Sequence, residues 1–181
     1  YKLQTWLTVE AALAKAHAKL GNIPAEAAEE INRKASIKYV KVDRVKEIEK
    51  EIHHDLMAMV KAFAEVCEGN AGDYIHLGAT SYDTEDTALA LQLREAIKIL
   101  KEDLIQVKDE LVNLAEKYKN TICVGRTHGQ QALPTTYGLK FLIWAYEIHR
   151  HLIRLSEITP RCLLYTSDAA DEGLGVDLGG R

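Results

Sequence analysis

Along most of the chain the apolar residues recur every three or four positions, the period of an amphipathic helix. Leu3 to Leu20 carries Leu7, Ala11, Ala14 and Ala18 on one stripe and stops at Gly21. Pro24 opens a shorter helix, Ala25 to about Ala35. Asp43 reads as the cap of a third, in which Val45, Ile48, Ile52, Leu56, Met59 and Phe63 step by three or four. Gly69 and Gly72 end it and lead into a loop, residues 73–81. Asp83 reads as the N-cap of a very long helix reaching about Tyr118. Its expected buried seam is Leu89, Leu93, Ile97, Leu100, Leu104, Val107, Leu111 and Leu114. Thirty-odd residues at 1.5 Å each give about 50 Å, which calls for partners along the whole length.

Residues 119–133 read as a connection, and Pro134 as the start of a second long helix lasting to about Ile158. Phe141, Leu142, Ile143, Trp144 and Tyr146 cover most of its circumference, as a central helix requires. No segment alternates long enough to predict a strand. The expectation is an all-α chain. Residues 1–82 form an N-terminal helical domain truncated at its start, and residues 83–161 the first two long helices of a central bundle. Two helices cannot bury such surfaces alone, so further chain or other subunits must.

Composition narrows the class without naming a function. The chain has 181 residues, 47% hydrophobic and 28% charged, as soluble globular proteins do. A net charge of -4 offers no basic footprint for nucleic acid and no polybasic membrane patch. No apolar run approaches the roughly 20 residues that span a bilayer. Cys67, Cys123 and Cys162 form neither a disulfide framework nor a CxxC zinc site, and a reducing, cytoplasmic setting is the default. The chain starts at Tyr1, which suggests a fragment. Its last twenty residues differ in kind: four of the 11 glycines crowd there, with Asp168, Asp171, Glu172 and Asp177 against Arg181. The run Cys162-Leu-Leu-Tyr-Thr-Ser-Asp-Ala-Ala-Asp-Glu172 resembles the translation of a transposase adaptor used in sequencing libraries. Residues 162–181 are therefore expected to be a non-native tail and are set aside.

Three segments can carry chemistry. His53-His54-Asp55 falls in the middle of the third helix, with His54 about 200° from Ile52 and Ala58 leaving space one turn on. An imidazole there can bind an anion or exchange a proton near neutral pH, and two solvated surface histidines are the other reading. His76-Leu-Gly-Ala-Thr80-Ser81-Tyr-Asp83 places two hydroxyls beside the free N–H groups of a helix start, which suits a carboxylate or phosphate, or simply caps the helix. Gly125-Arg126-Thr127-His128-Gly129-Gln130 concentrates polar groups in a glycine-flanked loop that can hold an imidazole beside a substrate, or serve as an ordinary loop.

Taken together, the three segments resemble the fumarase/aspartase superfamily and, within it, the adenylosuccinate lyase family. That family shows a His-Asp pair, a His-x-Gly-x-Thr-Ser-x-Asp-x-x-Asp-Thr-Ala run and a Gly-Arg-Thr-His-Gly-Gln-x-Ala-x-Pro-Thr-Thr run. Here they stand as His54-Asp55, as His76-Leu-Gly78-Ala-Thr80-Ser81-Tyr-Asp83-Thr-Glu-Asp86-Thr87-Ala88, and as Gly125-Arg126-Thr127-His128-Gly129-Gln130-Gln-Ala132-Leu-Pro134-Thr135-Thr136. The resemblance covers residues 1–161. Related cycloisomerases typically carry tryptophan where His128 stands. Argininosuccinate lyases, fumarases and aspartases have different second motifs.

The resemblance implies elimination of fumarate from succinylated purine nucleotides by general acid/base chemistry, with no metal and no cofactor. His128 would be the acid toward the leaving amine. Thr80 and Ser81 would hold a substrate carboxylate, while His53, His54 and Asp55 would line the nucleotide side. His76, Asp83, Arg126, Thr127 and Gln130 would support them. The family's base, a serine on a Gly/Ser-rich loop, and its phosphate-binding Arg-Tyr pair are absent from this stretch. The resemblance also implies a homotetramer with shared sites, and a fragment that is inactive alone. A cycloisomerase or a non-catalytic helical assembly module is the competing reading.

Overall fold

The computed structural model describes residues 1–161, so the expected adaptor-like tail lies outside the described residues. Their order is α1 (Lys2–Lys19), α2 (Ala25–Lys34), α3 (Val42–Ile52), α4 (Asp55–Val66), a 3-10 turn (Ala71–Tyr74), α5 (Ser81–Lys117), β1 (Ile122–Thr127), β2 (Gln130–Thr136), α6 (Tyr137–Ile158) and a final 3-10 turn (Thr159–Arg161). The chain divides into two units, residues 1–92 and residues 93–161 of those described. No described helix is long and apolar enough to cross a membrane.

The first unit closes a core of its own. Leu7 and Ala14 from α1, Ile31 from α2, Leu56, Met59 and Phe63 from α4, and Val40 from the α2–α3 connection are all essentially sealed. α1 packs on α2, α3 packs on α4, and the first 3-10 turn lies against α2 and α4. Gly72 sits in that turn because a Cβ there would meet the Ala64 backbone at 3.0 Å.

Four sequence expectations change here. The third helix is two helices. His53 takes a left-handed conformation (φ 55°) that ends α3, its N–H returning to Glu49 O, and His54 is extended and starts α4. The apolar steps keep their phase across this break, since Ile48 and Leu56 reach the same core, so periodicity alone hides it. Ala58, expected beside open space, is fully buried. α3 begins at Val42 with Lys41 as its cap, leaving Asp43 in the first turn, where a carboxylate meets the positive end of the helix. Asp83, expected as the N-cap of α5, is three residues inside it. Its carboxylate accepts from the Thr80 N–H (2.9 Å) while its own N–H donates to Thr80 O (3.1 Å). Thr80 is thus the N-cap, with a reciprocal pair like the capping box.

The second unit is built from the rest of α5, a two-stranded hairpin and α6. The hairpin corrects the expectation of no strands. β1 and β2 pair antiparallel with Thr127 opposite Gln130, leaving His128-Gly129 as a two-residue turn. Both turn residues have positive φ, 50° and 76°, as a type I′ turn requires. The register slips between Val124 and Arg126 because β2 carries one extra residue there. Gly125 faces that bulge, where a Cβ would lie 2.7 Å from Leu133 O. Pro134 is in β2 and starts no helix; α6 begins at Tyr137, where the Thr136 hydroxyl accepts from the Leu139 N–H. Of the expected α5 seam, Leu89, Leu93, Leu100 and Val107 stand exposed in this chain. α6 buries Gly138, Ala145 and Leu152 and leaves Leu142, Ile143, Trp144 and Tyr146 exposed.

Candidate functional site

The first unit assembles most of the expected residues around the start of α5. His54 and Ser81 meet there. The His54 ring caps α4, its Nδ1 accepting from the Met57 N–H (3.3 Å), which leaves Nε2 to face Ser81 Oγ at 3.5 Å. The helix break is what makes this possible, because an imidazole inside a continuous helix has no free N–H of the next turn to accept. Asp55 lies on the same end of α4, paired with Lys2 Nζ (3.4 Å). Glu85, one turn into α5, has its carboxyl raised above the usual range by burial and then by the neighbouring Asp55 charge. Ser81 and Thr80 sit where the first-turn N–H groups of a 37-residue helix lack helical partners. The arrangement offers an imidazole, two hydroxyls and a helix start to an anion.

His53 is exposed at the end of α3, lining a shallow groove with Lys46, Glu49 and Lys50. It does not join His54 and Ser81 in that hydrogen-bonded group. His76 does more than the sequence indicated. It is left-handed (φ 63°), and its Nδ1 lies 2.8 Å from Glu10 Oε1 on α1. That hydrogen bond, against the opposing effect of burial, raises the His76 pKa above its ordinary 6.5. Glu10 Oε1 also accepts from Thr84 Oγ1 at 2.8 Å, and Glu10 Oε2 is sealed with no partner among the described residues. His17 fixes the same loop. Its Nδ1 accepts from the Asn22 amide (3.0 Å), so Nε2 carries the proton donated to Leu77 O at 2.8 Å.

Glu10, His17, Thr84 and Glu85 are the residues that sequence reasoning missed. Glu10 had a signal: it is three residues after Leu7 and four before Ala14, on the apolar stripe of α1, where an unpaired carboxylate is costly.

The second unit holds the other expected group. His128 is at the tip of the hairpin, with Thr127 and Gln130 as the strand residues flanking the turn and Arg126 one step back along β1; all four side chains are exposed. Cys67, by contrast, is held toward the neutral thiol: burial pushes it up to about 11.

Comparison with known proteins agrees with the motifs. A family described as lyase matches residues 1–177. The chain belongs to this lyase family. It is 62% identical over 160 residues to an adenylosuccinate lyase of Methanocaldococcus jannaschii, covering 88% of this chain and 35% of that protein. It is 43% identical over 163 residues to an N-acetyl-S-(2-succino)cysteine lyase of Dickeya dadantii, covering 90% of this chain and 36% of that one. Among solved structures, the 3-carboxy-cis,cis-muconate lactonizing enzyme of Pseudomonas putida superposes with a TM-score of 0.85 at 36% identity, over 93% of this chain and 39% of the other. The all-α fold class of the fumarase/aspartase type stands, with the hairpin added to it. This chain spans about a third of the length of the curated lyases it matches.

Proposed function

We propose that the complete protein is an adenylosuccinate lyase. It releases fumarate from adenylosuccinate, leaving AMP, and from the succinylated aminoimidazole carboxamide ribotide of purine synthesis. The observation that carries this reading is 62% identity to an adenylosuccinate lyase across a stretch holding His54, Thr80, Ser81 and His128 together.

The reaction removes a weakly acidic proton beside a carboxylate, breaks the carbon–nitrogen bond and returns a proton to the departing amine. His128 donates that last proton, from a tip whose backbone an adjoining glycine leaves open to a ligand. Thr80 and Ser81 hold the succinyl carboxylate at the start of α5, where the helix field opposes its charge. His54, Asp55 and His53 line the nucleotide side, with Arg126, Thr127, Gln130 and Asp83 holding the reacting groups in place. The base comes from chain outside these residues, and acid, base and helix field need no cofactor. The working enzyme is a cytoplasmic homotetramer whose subunits share sites, and this stretch alone is inactive.

The test is to give the complete protein adenylosuccinate and follow AMP and fumarate. Turnover of adenylosuccinate supports the reading. Cleavage of a succinylated thiol instead, the substrate type in the name of the Dickeya relative, would replace it. Lactonization of 3-carboxymuconate would favour the cycloisomerase, whose support is shape and 36% identity.

A further inference from the structure

Glu10 is a buried carboxylate that no motif accounts for. Its side chain is fully sealed, on a helix whose other buried residues are Thr5, Trp6, Leu7, Ala11 and Ala14. Removing a carboxylate from water costs several kcal/mol unless hydrogen bonds and an opposite charge compensate. Oε1 accepts from two donors, Thr84 Oγ1 and the His76 ring, each at 2.8 Å, while Oε2 has no partner among the described residues. Of the side chains bonded to it, His76 alone can carry a positive charge. The two donors come from different elements: His76 from the left-handed loop before α5, Thr84 from the first turn of α5 itself. One carboxylate oxygen therefore ties the loop to the helix start where Thr80 and Ser81 stand.

We propose that Glu10 is a positioning residue of the active site, which fixes the His76 ring through Nδ1 and keeps it a cation so that Nε2–H can donate to an anionic group of the substrate. This rests on the lyase reading above. His76 Nε2 makes no hydrogen bond to protein among the described residues, and the side chain is 11% exposed, so this nitrogen is the one left for a ligand. The charged and titratable groups acting on His76 are Glu10 from α1 and Asp83 from α5, both favouring its protonated form, while burial opposes it. His17 bonds the neighbouring Leu77 carbonyl and holds the loop without touching the ring.

The experiment uses the complete enzyme, with histidine-labelled NMR to follow His76 and with KM and kcat for adenylosuccinate across pH. Glu10→Gln keeps the shape and an acceptor oxygen but removes the charge. Expected are a lower titration midpoint for His76, a KM raised about tenfold or more above neutral pH, the worth of one charged hydrogen bond, and a smaller change in kcat. Thr84→Val removes the other donor and leaves the charge, so His76 should titrate as in the wild type. In the wild type, which needs no variant to fold, the alkaline loss of substrate affinity should coincide with the His76 midpoint. An unmoved midpoint in Glu10→Gln, a KM loss in Thr84→Val equal to that of Glu10→Gln, or a wild-type affinity that ignores His76 titration would each overturn the proposal. The NMR arm is run without substrate and then with inorganic phosphate, so it decides the role of Glu10 even for an enzyme that fails to cleave adenylosuccinate.

Discussion

The two units of the chain spend their apolar residues differently. In residues 1–92 the large side chains Leu7, Ile31, Leu56, Met59 and Phe63 are sealed, and even a carboxylate is enclosed. In residues 93–161 the buried apolar residues are Ala115, Ala145 and Leu152, while Ile99, Ile105, Ile143, Trp144 and Tyr146 stand exposed. One unit carries its own core; the other carries faces whose burial depends on surfaces outside it. A large exposed apolar patch on a soluble protein marks an interface. The contrast teaches that the candidate groups around His54 and Ser81 rest on a self-sufficient core, whereas the His128 hairpin belongs to a unit with few buried apolar residues among those described.

The sharpest way to break this comparison is on the chemistry. In the complete enzyme, His128→Ala should lower turnover by about 10²–10⁴ while leaving substrate affinity, and His54→Ala should weaken affinity at least as much as turnover. Steady-state and equilibrium measurements on both variants check it, and near-normal turnover in His128→Ala would remove that residue from the acid role. Packing comes next. Phe63→Ala empties a sealed site and should cost about 3–5 kcal/mol in denaturant unfolding of the complete protein. Ile143→Ala, half exposed in this chain, should cost more than about 0.5 kcal/mol there only if other surfaces cover it. A cost near zero would show that face to be open.

A smaller effect separates the units by pH. The folded His76 is raised above 6.5 by its bond to Glu10, so the stability it contributes is complete below that value and is lost as pH rises through the raised one. Melting temperature should therefore carry an alkaline decline that Glu10→Gln removes; an unchanged decline would assign it to other groups. Smallest of all is the α4 cap. His54→Ala removes the acceptor for the Met57 N–H and should cost about 0.5–2 kcal/mol, measured on the same unfolding curves.

How much of this was legible depended on whether the sequence signal was periodic. α1 and α2 lie within a residue or two of where their stripes place them, because apolar spacing and the Gly21 and Pro24 boundaries agree. The α3–α4 break was hidden because two residues out of helix left the next apolar position on the same core. The hairpin was hidden for the opposite reason. Its strands bury neither face fully, one contains Gly125 and the other Pro134, so alternation never accumulates. The turn was nevertheless written as His128-Gly129, a residue tolerant of left-handed backbone followed by glycine. Of the candidate site, the motif residues could be proposed from the sequence one by one. Their mutual arrangement was not, since the meeting of His54 with Ser81 and of Glu10 with His76 spans 27 and 66 residues of chain.

Among the described residues, the non-glycine positions with left-handed backbone are His53, His76 and His128, one in each of the three motif segments. A side chain held there costs on the order of 1 kcal/mol that glycine would not. A laboratory selection for heat tolerance alone would thus be drawn to glycine at His53 and His128, but not at His76, whose ring compensates the sealed Glu10 carboxylate. It would harvest the released strain and deliver a hardier protein without the hairpin imidazole, so any thermostabilisation campaign on this scaffold should freeze these codons before it begins.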